Sequence, residues 1–207
     1  MPSMYLYIPD ILADWEPGYV LAELHSGRYL KDPALRYEVV LCGRTMDPVV
    51  TMGGLVLTPY VLFEKIQPGN KDLVILRGTD TWLDPKQGPV ITKIRSLLEE
   101  GVYIAAICGA TLALADAGLL DHRPHTSNDP AALKIFCPGY HGETYYVNEP
   151  AVTAGNLITA SGLAPVEFVY QVFRMLSVMK PETLNAWYGL FSTRSTKHFH
   201  ALMESLG

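Results

Sequence analysis

Leu73-Val74-Ile75-Leu76 is apolar at every position. A strand with one wet face alternates polar and apolar residues, so an unbroken apolar run implies cover on both faces. Helices supply such cover, and one follows: Pro89 to Glu100 reads as a helix stopped by Gly101. A second apolar strand, Val102 to Ile107, comes directly after it. Residues 73–107 are therefore predicted to form a βαβ unit, a connection that is right-handed in nearly all folds.

The same alternation runs through the rest of the chain. Met4 to Ile8 reads as a first strand. Asp14-Trp15-Glu16-Pro17 then opens a helix to about Ser26, with Gly27 as its stop. Tyr37 to Leu41 is a second strand, and Val49 to Leu57, broken at Gly53-Gly54, a small hairpin. Gly118 ends the helix that follows Ile107, and Asp129-Pro130 starts a short one to about Phe136. Val152 to Ala160 is a strand segment interrupted by the turn signal Ala154-Gly155-Asn156. Ala164 to Val178 is a strong helix, and residues 180–207 add two helical stretches split near Ser192 to Ser195. This pattern predicts one α/β domain over 1–207, a mostly parallel sheet with helices on both faces. At 207 residues the chain can bury a sizeable core.

Ligands of such sheets bind beyond the carboxyl ends of the strands. Three features converge on that edge: Glu16 after the first strand, Gly78-Thr79 after the Leu73 strand, and Cys108 after the Val102 strand. Cys108 is followed by Gly109 and Ala110, small enough for a tight strand-to-helix turn of the nucleophile-elbow kind. There, helix dipole and free N–H groups favour a thiolate. The bland alternative is a buried structural cysteine.

Charge narrows the partners. The net charge is −5 without a basic block, so nucleic acid and anionic membrane surfaces find no electrostatic support. No apolar run reaches the roughly 18 residues of a spanning helix. Three cysteines, Cys42, Cys108 and Cys137, in no paired spacing argue against a disulfide framework or a cysteine zinc site. With no signal-peptide pattern at the N-terminus, a reducing cytoplasm is expected. No His/Cys/Asp/Glu spacing suggests a metal, and no cofactor is expected; the partner is a small molecule.

Several segments, in order, resemble the ThiJ/PfpI superfamily of class I glutamine-amidotransferase-like proteins. They are Trp15-Glu16-Pro17, Leu76-Arg77-Gly78-Thr79, Ala105-Ala106-Ile107-Cys108-Gly109, Ala117-Gly118-Leu119-Leu120 and Thr126-Ser127-Asn128. The segment Leu157-Ile158-Thr159-Ala160-Ser161-Gly162 to Glu167-Phe168 completes the set. The similarity spans about residues 4–178, and the C-terminal helical extension, about 180–207, looks like an addition.

The resemblance implies a flavodoxin-like three-layer α/β sandwich, usually a homodimer. It also implies Cys108 as nucleophile, Glu16 as companion acid, and backbone N–H groups of Gly78, Thr79 and Gly109 as an oxyanion hole. The chain departs from the family peptidases at Gly109, where many have His, and at Asn128, near a second family His position. Asn cannot act as a general base, so proteolysis and glutaminase chemistry are not expected. The chemistry that fits is attack on small carbonyl or amide-like compounds, of glyoxalase, deglycase or hydratase type. A cysteine-based oxidative-stress sensor and a non-catalytic binding protein are the alternatives.

Individual residues keep two readings each. Glu16 suits either a solvated helix start or the acid beside Cys108. Asn128 reads first as a cap or turn residue before the 130–136 helix and second as a substrate contact. His141 sits in a loop that either stays on the surface or folds over the site, and His125 reads as an exposed turn residue.

Overall fold

The computed structural model describes all 207 residues. Seven strands form one sheet: β1 (Ser3–Tyr7), β2 (Glu38–Gly43), β5 (Val61–Leu62), β6 (Leu73–Leu76), β7 (Tyr103–Ile107), β8 (Ala151–Ala154) and β9 (Leu157–Ala160). Their spatial order is β5-β2-β1-β6-β7-β9-β8, parallel throughout except for the β8–β9 pair. The antiparallel pair is possible because Gly155, at φ +61°, closes a tight turn between its strands. A separate hairpin of β3 (Val49–Val50) and β4 (Val56–Leu57) stands off the sheet.

Helices cover both faces. All four β6 residues are buried, and their side chains divide by alternation. Leu73 and Ile75 enter one apolar cluster with α1 (Gly18–Ser26) and α5 (Pro165–Leu176); Val74 and Leu76 enter another with α2 (Gly88–Glu99) and α3 (Gly109–Asp116). Two clusters on opposite faces are what an apolar, non-alternating strand requires. The flavodoxin-like α/β architecture expected from sequence is the one observed.

Element limits move by a residue or two. The larger change is at the first helix, which starts at Gly18, leaving Trp15 and Glu16 in the loop before it. A short α4 (Pro130–Phe136) links α3 to the β8 region.

The C-terminal stretches form α6 (Pro181–Thr193), which packs on α5 and reaches α1, and α7 (Thr196–Glu204), which packs on α6. Trp187 is fully buried there, and its Nε1–H donates to Glu23 Oε1 at 3.1 Å. Glu23 also accepts from Arg28 Nε at 2.7 Å. The added helices thus thicken the layer beside α1 and line no part of the cysteine cleft described below.

Candidate active site

Strand β7 lies between β6 and β9, so its carboxyl end opens at the middle of the sheet edge. Cys108 follows it immediately and precedes α3. Its backbone sits at φ +60° and ψ −128°, a region strained for a residue with a Cβ by about 1–3 kcal/mol. Neighbours hold it there. Cys108 N–H donates to Ala160 O at 3.0 Å, and Thr111 donates to Cys108 O through N (3.0 Å) and Oγ1 (2.7 Å). The turn thrusts the half-buried thiol outward, as an elbow should.

Glycines make room for the sulfur. A Cβ built on Gly78 would stand 2.9 Å from Cys108 Sγ and 2.5 Å from Glu16 Oε1. One on Gly162 would stand 2.7 Å from Sγ. Thiol and carboxyl therefore crowd one small space walled by bare backbone. Glu16 is fully buried, which removes the solvated helix-start reading. Its Oε2 accepts from Gly78 N–H at 2.6 Å, and its Oε1 is buried without a hydrogen-bond partner.

An orphan carboxylate oxygen beside a thiol is a proton-sharing arrangement. Burial pushes the Glu16 carboxyl up, against the Gly78 N–H, the neighbouring Cys108 thiol and the Arg77 charge, which pull it down. Burial also pushes the Cys108 thiol up, and the charge of Glu16 adds to this; Asn128 and the Gly109 N–H oppose it. The helix and peptide dipoles that favour a thiolate are thus opposed by burial and by the neighbouring carboxyl. Desolvation and a like charge outweigh them, and the thiol is held above its ordinary value.

Asn128 is a site residue and not a cap. Asp129 is the cap, its side chain accepting from Ala131 N–H at 2.6 Å. Asn128 Oδ1 accepts from Gly162 N–H at 2.7 Å, which turns its Nδ2 toward Cys108 Sγ at 3.3 Å. The clue lay in Pro130: proline favours the first helical position, which assigns the cap to Asp129 and frees Asn128.

Of the three backbone groups expected to hold an oxyanion, Gly78 is unavailable, because its N–H is bonded to Glu16. Thr79 N–H has no partner within the protein, and Gly109 N–H points at the sulfur. Gly109 packs on Thr79, with the Thr79 nitrogen 3.3 Å from the place of a Gly109 Cβ. Thr79 and Gly109 thus lie side by side in the lining of the cleft.

His141 is exposed, its N–H bonded to Asp121 Oδ1 at 3.0 Å, and it does not line the cleft. His125 is not the exposed turn residue the sequence suggested. It is fully buried, held by Tyr140 Oη at 2.6 Å and Arg123 O at 2.8 Å. Cys42 and Cys137 are buried, with thiols pushed up to about 12 and about 11 by desolvation. They are inert at neutral pH.

Sequence reasoning passed over Arg77. Its side chain is buried, Nε and Nη2 have no partner, and burial lowers it to about 10 while Glu16 and Asp14 partly restore it. A buried cation without partners is costly and marks a site, but only the folded chain reveals its burial. Cys108 itself opens into a cleft of about 320 Å³. Trp15, Met52, Trp82, Leu83, Leu112 and Phe136 give the cleft wall its large apolar side chains.

Comparison with known proteins bears on the family and the fold. A family model described as DJ-1/PfpI family matches residues 2–175. "Uncharacterized protease YoaZ" of Bacillus subtilis (strain 168) is 44% identical over 204 residues, covering 99% of this chain and 97% of that protein. A crystal structure of a thiJ/pfpI family protein from Bacillus anthracis superposes with a TM-score of 0.95 at 41% identity, over 99% and 96% of the two chains. The DJ-1 superfamily protein Atu0886 from Agrobacterium tumefaciens superposes with 0.79 at 30% identity, over 94% and 99%.

Proposed function

This chain belongs to the DJ-1/PfpI family, and on that premise we propose that Cys108 attacks small carbonyl or amide-like compounds while Glu16 moves the proton. The supporting observation is the buried Glu16–Cys108 pair, whose Oε1 faces the thiol with no other partner.

The step proceeds from the state with one proton on the pair. With that proton on Glu16, Cys108 Sγ is a thiolate and forms a bond to the carbonyl carbon. The carbonyl π electrons move onto oxygen, and Thr79 N–H and Gly109 N–H are the nearby donors for the alkoxide. Glu16 then gives its proton to that oxygen, and the negative charge passes from sulfur to the carboxylate. Its total is unchanged, near the buried Arg77 cation. Asn128 Nδ2 steadies the sulfur before attack.

The word "protease" in the name of the YoaZ relative is not carried over. No histidine lines the cleft, so the cysteine–histidine relay that cysteine peptidases use has no counterpart there. The test is consumption of methylglyoxal by the parent and by Cys108→Ala. The proposal expects turnover in the first and none in the second; equal rates would refute it.

A further inference from the structure

Four large apolar side chains stand exposed around the cleft: Trp15 (54%), Met52 (54%), Leu83 (38%) and Phe136 (57%). Each comes from a different segment: the loop before α1, the β3–β4 hairpin, the loop after β6, and the end of α4. Scattered exposed hydrophobics are ordinary on a protein surface. Four from separate segments converging on one half-buried sulfur are not, since each pays hydration at a place the fold does not require.

The charges point the same way. Asp80, at the exposed rim, is the sole charged residue lining this cleft, and the Glu16–Cys108 pair beneath adds negative charge. Arg44 and Lys86 line a separate cavity of about 150 Å³ with Tyr7 and Gln87. A carboxylate or phosphate entering the Cys108 cleft would meet no cation on its wall and would pass Asp80, since the nearby cation, Arg77, is buried and does not line it. The volume also exceeds what a three-carbon dicarbonyl needs, and lies at the low end of the roughly 300–1,000 Å³ typical of ligand pockets.

The geometry points to an uncharged electrophile bearing a flat apolar group, an aryl or branched alkyl carbonyl compound, as the class this cleft takes. Its electrophilic carbon would reach Cys108 while its apolar part lies among Trp15, Met52 and Phe136. This rests on Cys108 as nucleophile, but concerns selectivity and not turnover.

Three alkylating probes separate the two questions: iodoacetamide, its N-benzyl derivative, and iodoacetate. In each, the Cys108 S–C bond forms as the C–I bond breaks and iodide leaves. Rates at Cys108 are read by mass spectrometry and divided by those of free glutathione with the same probe. The N-benzyl compound should exceed iodoacetamide about tenfold, the scale of apolar-pocket discrimination, and iodoacetate should fall about tenfold below it. Phe136→Ala and Trp15→Ala should each bring the benzyl ratio toward unity; both side chains are over half exposed, so the fold survives their truncation. A parent without benzyl preference, or one that favours iodoacetate, overturns the inference. So does a preference that vanishes as protein concentration rises, which would assign the apolar rim to a second copy of the chain. A benzyl preference without methylglyoxal turnover would refute the proposed reaction and leave the selectivity standing.

Discussion

Gly162→Ala isolates the crowding around the sulfur. Gly162 does not occupy a left-handed conformation, so an alanine there brings no backbone strain of its own. Its Cβ would stand 2.7 Å from Cys108 Sγ and 2.8 Å from Cys108 Cβ. Attractive contacts between such atoms lie at about 3.5–4.0 Å, so something must yield by about 1 Å. If the sulfur yields, it leaves Asn128 Nδ2. If the 161–163 loop yields, it strains the Gly162 N–H bond that orients Asn128. The first route misplaces the nucleophile and the second its Asn128 partner, by about 1 Å, a shift that costs on the order of 100-fold in rate. The overpacking itself destabilises by about 1–3 kcal/mol, which in a chain of this size lowers Tm by roughly 2–12 °C. The assay pairs iodoacetamide alkylation of Cys108 at pH 7 with a thermal melt. Gly139→Ala serves as control, because nothing lies within 4 Å of its added methyl and its φ is not positive. A folded Gly162→Ala protein alkylated at the control rate would refute the reasoning that bare backbone shapes this site.

Two further expectations concern the shared proton. In the parent, loss of the first proton leaves one charge divided between Glu16 and Cys108, and loss of the second is opposed by that charge, so alkylation should rise in two pH steps. Glu16→Gln should show a single step, faster than the parent near pH 7 and reaching full rate at lower pH than the parent's second step, since the like charge that opposes the thiolate is gone. An unchanged two-step profile measured by alkylation rate against pH would rule out the pairing. Arg77→Met removes a buried cation with two unpartnered N–H groups, and should melt no lower than the parent, with a gain of about 1–3 kcal/mol. It should also move the first alkylation step to higher pH, because Glu16 loses the charge that favours its ionised form; a lower Tm would show that the guanidinium instead holds the fold.

The site was legible from sequence to different depths. Cys108 was readable because a strand, a small-residue turn and a helix follow one another without a gap. Glu16 and Thr79 were readable as loop residues at the same sheet edge. The helical character of residues 180–207 was also readable, but not their resting place against α1. Asn128 was misjudged because two adjacent residues could each cap α4, and only the observed bonds separate them. Gly78 was placed correctly, but its N–H serves Glu16 and not an oxyanion.

Local sequence thus determined the elements and their layering, because apolar periodicity and turn chemistry act over a few residues and carry their outcome in the chain. Tertiary structure alone decided that the Glu16 carboxyl and the Cys108 thiol share one desolvated space, which N–H groups remain free, and that Arg77 is buried. Those properties depend on desolvation and on atoms brought together from residues 16, 77, 108, 128 and 162, distances that no local pattern encodes.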